Sequence, residues 1–401
     1  MRPLRLLWIL PYLPWPTTSG GKLRQYHLLR CMAARGHRIT LLVQSKVALD
    51  PAARAQLEPL VEQLIVLERR PLRSLATLWR GLFSPLPLLA TVNGHAPALA
   101  AQLDSLLQQP WDIVQVEHSY TFQACEAVLR KHRQPFVITE HNVESDLAEV
   151  TYARLAAPLR LLAGWDRQRY RRWERRVLGQ ARRVIALTQA DAAVLAPLTA
   201  APVAVVVNGT DTGAFAAVQP DASARRLLFV GNFEYAPNVD AVEWLLEAVM
   251  PRVWAQAGYA RLCICGYALP AQWQVRWRDP RIEWRGFVPS LQQVQQHSSL
   301  FIAALRDGGG SKLKVLEAMA AGLPLVATPQ AVSGLDVAVG RHYAGGATAE
   351  ALVQAVLALL ADPARAHALG EAGRSYVQQQ HDWSRSADQL EAVYAEVLGC
   401  A

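Results

Sequence analysis

The chain has 401 residues, 52% of them hydrophobic and 18% charged, with a formal net charge of +8. That apolar content excludes a disordered chain, and that length exceeds one ordinary domain, so two folded domains are expected. The basic excess points to anionic partners such as nucleotides, phosphates or an acidic membrane face; no nucleic-acid-binding motif accompanies it, so no nucleic acid is expected.

The first sixteen residues, MRPLRLLWILPYLPWP, imitate a secretory signal, but the apolar run is too short and lacks a small-residue cleavage site. Residues 4–10 instead read as a buried β-strand. Residues 20–35 follow as a helix closed by Gly36, then 38–43 as a second strand, giving a βαβ unit. Further buried strands are expected at 112–116, 135–139, 183–187 and 203–207, completing one doubly wound sheet. The turn-rich stretch 208–224 marks a domain edge. A second βα series begins beyond it, with strands at 227–230, 261–265, 282–284, 300–304 and 323–328 and a helix over 238–256. Amphipathic helices close the chain at 347–360, 363–380 and 383–398, the middle one capped by Asp362 with Pro363 at its first position. The expected division is 1–207, 208–380, and a terminal helix 381–401 packing back on the first domain.

No run approaches the roughly 18 apolar residues that span a bilayer. Cys31, Cys125, Cys263, Cys265 and Cys400 lack metal-ligand spacing and read as reduced, buried thiols, Cys263 and Cys265 on one face of a strand. A cytoplasmic setting and no metal site are expected. Arg167, Arg169, Arg171, Arg172, Arg175, Arg176, Arg182 and Arg183 interleave with Tyr170 and Trp173, and Arg69, Arg70 and Arg73 form a second basic cluster. Either stretch suits an anionic membrane surface; the alternative is a solvated helix that packs its aromatics inward.

The most informative run is GGGSKLKVLEAMAAGLPLVAT, residues 308–328. Its glycines can turn successive N–H groups toward one point, Ser311 is a natural N-cap, and Gly322 and Pro324 end the helix before a buried strand. Lys312 opposes the helix dipole there, so an anionic ligand is the simplest reason to keep it. Glu317 lies at the edge of the apolar arc formed by Leu313, Val315, Leu316, Met319 and Ala320, where a carboxylate needs a partner.

Ligands of open α/β sheets bind beyond the carboxyl ends of the strands. Polar residues recur at those ends: Gly20 and Gly21 after the first strand, Glu117 and His118 after another, Glu140, His141 and Asn142 after a third. In the second half, Gly231 and Asn232, Gly266, and Arg306 with Gly308, Gly309 and Gly310 do the same. If the two sheets face one another, the cleft between them suits a two-part substrate whose anionic portion rests on the second domain.

Taken in order, SGGKLRQYHLLRCMAARGHRITLL, EHNVES, ARRVIALTQADAAVL, VVVNGTDTGAF, LFVGNFEYAPNVDAVEWLL, WRGFVPSLQQV and the glycine run resemble the retaining glycosyltransferases of family 4 across nearly the whole chain. The resemblance implies an α/β protein of GT-B architecture, two Rossmann-like doubly wound parallel-sheet domains facing across a cleft. It implies sugar transfer, with retention and without an essential metal or cofactor, from a UDP- or GDP-sugar to a saccharide or lipid-linked acceptor. Exopolysaccharide or glycolipid assembly in bacteria, with peripheral membrane contact, is the setting it suggests. Glu317 matches the second carboxylate of the family's E-x7-E motif, which contacts the ribose. Gly20 and Gly21 match the glycine loop near the donor diphosphate, and His141 the histidine at the reaction centre. Donor contacts are accordingly expected from Gly20, Gly21, Gly231, Asn232, Arg306, Gly309, Gly310, Ser311, Lys312 and Glu317. Acceptor contacts are expected from Glu117, His118 and His141, and catalytic roles for His141, Lys312 and Glu317.

Two departures stand out. Gly309 occupies the place of the first Glu of E-x7-E, and Asn232 and Asn238 occupy the places of an Arg and a Lys that clamp the diphosphate in many members. Lys312 and Arg306, with the Gly309 and Gly310 amides, are the expected substitutes. A catalytically silent nucleotide-sugar-binding assembly subunit and a nucleotide-sugar epimerase are the alternative readings.

Overall fold

In a computed structural model of the chain, the structure describes residues 2–68, 86–87, 91, 96–142, 157–308 and 312–399. The chain forms two compact units, Met1–Val207 with Ser386–Ala401, and Asn208–Arg385.

The first unit is a seven-stranded parallel sheet of β1 (Arg5–Leu10), β2 (Arg38–Ser45), β3 (Gln63–Glu68), β4 (Ile113–Glu117), β5 (Val137–Thr139), β6 (Arg183–Ala186) and β7 (Val203–Val205), ordered β3-β2-β1-β4-β5-β6-β7. Leu6 pairs with Ile39 on one side and Ile113 on the other, which fixes β1 at the centre. Leu7, Trp8 and Ile9 are completely buried, as a strand covered on both faces requires. The sequence pattern missed β3. As an edge strand it is exposed at both ends and only half-buried between them, so it carries no fully buried run. Helix α1 (Gly20–Ala34) follows β1 and stops where Gly36 takes φ +84°. Helix α2 (Ser119–Lys131) follows β4, and α3 (Ala157–Leu178) precedes β6.

The second unit is a six-stranded parallel sheet of β8 (Arg226–Val230), β9 (Arg261–Cys265), β10 (Ile282–Arg285), β11 (Leu300–Ala303), β12 (Leu325–Ala327) and β13 (Ala344–Gly345), ordered β10-β9-β8-β11-β12-β13. The expected helix over 238–256 is instead α4 (Ala236–Trp244) and α5 (Met250–Gln256), joined by a π-turn at Leu245–Val249. Pro251 has no N–H for the ladder, and a local widening of the helix accommodates the lost bond. Helix α6 (Leu313–Ala320) starts one residue later than a Ser311 cap implies: Lys312 is its N-cap, without a capping side chain. Helix α7 (Ala349–Ala361) is capped by Thr348, and α8 (Pro363–Gln380) by Asp362, which accepts from Arg365 N at 3.0 Å. A Cβ on Gly370 of α8 would stand 2.2 Å from Gly322 O, so only glycine allows this approach to the turn after α6.

The last helix, α9 (Trp383–Leu398), begins in the second unit and ends in the first. Within the first unit, Arg35 meets Asp388 at 2.7 Å and also binds Glu391, His37 meets Glu391 at 2.9 Å, and Gln389 accepts from Val207 N at 2.9 Å.

Cys125, Cys263 and Cys265 are buried free thiols, and Cys31 is half-buried. Cys400 and the Arg69, Arg70, Arg73 cluster lie outside the described residues. Among the described residues no single helix is long and apolar enough to cross a membrane.

Both sheets reverse strand order once, between β1 and β4 and between β8 and β11. The carboxyl ends of those strand pairs are where each unit offers a ligand crevice.

Candidate functional site

In the first unit, the residues after β1, β4 and β5 converge. Trp8 is buried, so its indole N–H needs an acceptor, and Glu117 at the end of β4 provides one at 3.0 Å. The same carboxylate accepts from Gln25 Nε2 at 2.7 Å, from His141 Nε2 at 2.9 Å and from Gln115. The Gln115 amide is itself held by the Tyr394 hydroxyl from α9. Burial pushes the Glu117 carboxyl up, but the His141 and Gln115 hydrogen bonds and the charge of Arg24 outweigh it and hold it below its ordinary range. Arg24 is buried too; desolvation drags its guanidinium down to about 10, which still leaves it charged at neutral pH. Glu117 is completely buried, which corrects its expected role as an acceptor contact. It lies beneath His141 and orients it.

Burial, with the nearby His118, drags His141 down to about 4 against the pull of Glu117, so the imidazole is neutral near pH 7. With Nε2–H directed at Glu117, Nδ1 keeps the lone pair. That nitrogen faces the start of α1: a Cβ on Gly21 would lie 3.4 Å from His141 Nδ1 and 2.6 Å from Tyr12 Oη. Gly21 therefore packs closely against the Tyr12 hydroxyl and the Nδ1 side of the histidine, where any side chain would intrude. Ser19 caps α1 without a side-chain bond, and its first turn holds no acidic residue, which leaves helix amides to meet an anion. His118 is the N-cap of α2 at φ +64°, a left-handed conformation unusual for a non-glycine residue. Its ring centre is 4.1 Å from that of His141 and its Nε2 is 3.3 Å from Tyr12 Oη. Gly20, Gly21, Glu117, His118 and His141 thus come together. Sequence reasoning missed Tyr12, Arg24, Gln25 and Gln115; only the position of Tyr12 just past β1 offered a signal.

In the second unit, Gly231 follows β8 and passes close to α4, since a Cβ there would stand 3.2 Å from the Asn238 side chain. Asn238 Nδ2 donates to Asn232 O at 2.7 Å, and Asn232 Oδ1 accepts from Glu234 N at 2.9 Å, so the Asn232 side chain closes its own turn. Gly308, at φ +111°, turns its carbonyl toward Lys312 Nζ at 2.7 Å and Gln330 Nε2 at 2.8 Å. Lys312 is buried. Arg306 is not poised for an anion in the way expected: Asp240 binds it with contacts of 3.0 and 2.5 Å. Gly309, Gly310 and Ser311 lie outside the described residues.

Glu317, on the second turn of α6, is half-buried and accepts no hydrogen bond among the described residues. Desolvation pushes its carboxyl up to about 7. Lys314 went unnoticed in the sequence. Its ammonium donates to Asn238 Oδ1 at 2.5 Å and lies 4.7 Å from the centre of the Phe229 ring. Burial, with the neighbouring Lys312, brings it down to about 7. Its signal was the spacing in Lys312-Leu313-Lys314, two cations opening a helix. Among the described residues no group of three or more His, Cys, Asp or Glu side chains is arranged to hold a metal ion.

Residues 19–214 match the profile described as Glycosyltransferase Family 4, and residues 224–362 that described as Glycosyl transferases group 1. No curated protein matches the chain by sequence. Among solved structures, the sucrose-phosphate synthase of Thermosynechococcus elongatus is similar with a TM-score of 0.71 at 18% identity, covering 99% of this chain and 100% of that one. HepE of Anabaena, solved with UDP and glucose, gives a TM-score of 0.67 at 16% identity over 98% of this chain and 100% of that one. A glycosyltransferase of Rickettsia africae gives 0.65 at 13% identity, covering both chains fully. These likenesses concern the fold. With both halves matched by adjoining profiles and the two parallel sheets in place, the chain belongs to the family 4, group 1 glycosyltransferases of GT-B fold.

Proposed function

We propose that the protein moves a sugar, with retention of anomeric configuration, from a UDP- or GDP-sugar to a hydroxyl of a saccharide or lipid-linked acceptor in bacterial polysaccharide or glycolipid assembly. The observation that carries this reading is Glu317, a carboxylate that accepts no hydrogen bond among the described residues, on a helix that follows β11 and opens with Lys312 and Lys314. A carboxylate suits a ribose diol, and ammonium groups suit a diphosphate. HepE solved with UDP-glucose supports a uridine donor.

As the anomeric C–O bond breaks, its electron pair moves to the diphosphate, and stabilising that charge is the largest lever available to the protein. Lys312 and the amides at 309 and 310 are assigned to it, while Arg306 is already neutralised by Asp240. The acceptor oxygen bonds to the anomeric carbon on the departing face, and its proton passes to a phosphate oxygen. His141 is too weak a base at about 4 to take that proton near pH 7; its Nδ1 accepts a hydrogen bond from a sugar hydroxyl and orients it. No step requires a metal, so turnover is expected to persist in EDTA.

Incubation with UDP- and GDP-sugars and a panel of acceptors, with the product anomer read by NMR, tests the reading. Retained configuration supports it and inversion overturns it. Lys312→Ala is expected to weaken nucleoside diphosphate binding sharply, and unchanged affinity removes Lys312 from the phosphate site. Gly309, in place of the family's first motif carboxylate, favours the silent assembly subunit as second reading; donor binding without turnover on any acceptor would establish it. Interconversion of the donor sugar with no acceptor present would instead indicate an epimerase.

Arg171, Arg172 and Arg175 of α3 are exposed and Trp165 is 59% exposed, which supports contact with an anionic membrane face. Tyr170 and Trp173 are buried and belong to the core. Flotation with acidic liposomes at low salt, lost at high salt, is the expected outcome.

A further inference from the structure

The three cations named near the glycine run meet different partners. Arg306 has the Asp240 carboxylate, and Lys312 has the Gly308 carbonyl. Lys314 differs. Among the described residues its ammonium meets no carboxylate, only the neutral Asn238 amide and the face of Phe229. The amide is not loose: its nitrogen is fixed on Asn232 O, which leaves Oδ1 directed at Lys314. The chain Asn232, Asn238, Lys314 therefore runs from the end of β8 to the first turn of α6 and places a cation at the strand-order reversal of this sheet. A half-buried ammonium that meets a neutral dipole and an aromatic face but no carboxylate among the described residues, with a second lysine two residues away, is an electrostatic arrangement that a bound anion completes.

We propose that Lys314, presented by Asn238, is, beside Lys312, a residue that distinguishes a nucleoside diphosphate from the bare nucleoside in this site. The assignment rests on the nucleotide-sugar reading above and adds to Lys312 a second lysine that senses the phosphates. The lowered proton affinity of Lys314 fits the role, because a phosphate dianion restores the charged form that burial and Lys312 disfavour. The titratable groups on its own helix and cap are Lys312 and Glu317, and α4 carries Asp240, paired with Arg306, and Glu243, paired with Arg276.

The test is calorimetric titration of the full chain with UDP and uridine, and with GDP and guanosine. Lys314→Met is expected to weaken the diphosphate roughly 10- to 100-fold while leaving the nucleoside within about threefold, so the ratio between them collapses. Because the Asn238 and Lys314 side chains meet, a lysine at 238 can bring an ammonium to the same point. Asn238→Lys in the Lys314→Met background is therefore expected to restore the ratio, and a packing defect would not be rescued this way. Equal loss of diphosphate and nucleoside affinity, or unchanged diphosphate affinity, overturns the assignment alone. Failure of the wild-type chain to bind either nucleoside diphosphate overturns the nucleotide-sugar reading and the assignment with it.

Discussion

Burial sets the chemistry of single residues here more than identity does. His141 and Glu117 read in the sequence as two polar residues at neighbouring strand ends, yet one turns Nδ1 toward Gly21 and the other is enclosed by donors from four side chains. Because His141 is neutral from well below pH 7, kcat/KM is expected to show no His141 limb between pH 5 and 9, with His141→Ala lowering it about 100-fold. A pH–rate profile of both proteins checks this. Glu117→Gln places an amide N–H₂ among donors and is expected to cost about 3 kcal/mol in denaturant unfolding. Glu317 carries the opposite sign from a salt-bridged carboxylate. Its folded value near 7 lies above the ordinary 4.5, so its burial penalty is absent below about pH 4.5, grows as pH rises, and is complete above 7. Glu317→Gln is therefore expected to match the wild type in stability at pH 4.5 and exceed it by about 2 kcal/mol at pH 8. The same variant should discriminate less between uridine and 2′,3′-dideoxyuridine, measured by titration.

At the scale of elements, glycine positions separate stability from function. Gly21 lies in the first turn of α1, where alanine is the better helix former, and the nearest obstacle is the movable tip of Tyr12. Gly21→Ala is expected to leave the melting temperature unchanged or slightly raised while activity falls. Gly370→Ala meets backbone at Gly322 O instead and is expected to lower stability by several kcal/mol, read by thermal denaturation. The strands were largely legible because both sheets are parallel and covered, which writes them as short apolar runs. β3 and β13, at sheet edges, lack that signature. The π-turn at Leu245–Val249 also escaped, since an apolar helical pattern does not reveal where the hydrogen-bond ladder widens.

At the scale of the molecule, the last sixteen residues complete the first unit from the far end of the chain. Tyr394 bonds Gln115, which bonds Glu117, which holds His141, so α9 reaches the site through three hydrogen bonds. Truncation after Arg385 is expected to abolish the thermal transition of the first unit in scanning calorimetry while that of Asn208–Arg385 persists. The sequence by itself determined the two βα series, the glycine starts after β1 and β11, and the family, because apolar periodicity and motif order are local properties. Tertiary structure alone decided that Glu117 is an orienting group, that Arg306 is neutralised by Asp240, and that Lys314 meets Asn238 across 76 positions of chain. Each of those outcomes depends on which charge lies next to which after folding, and desolvation and pairing are fixed by neighbours in space.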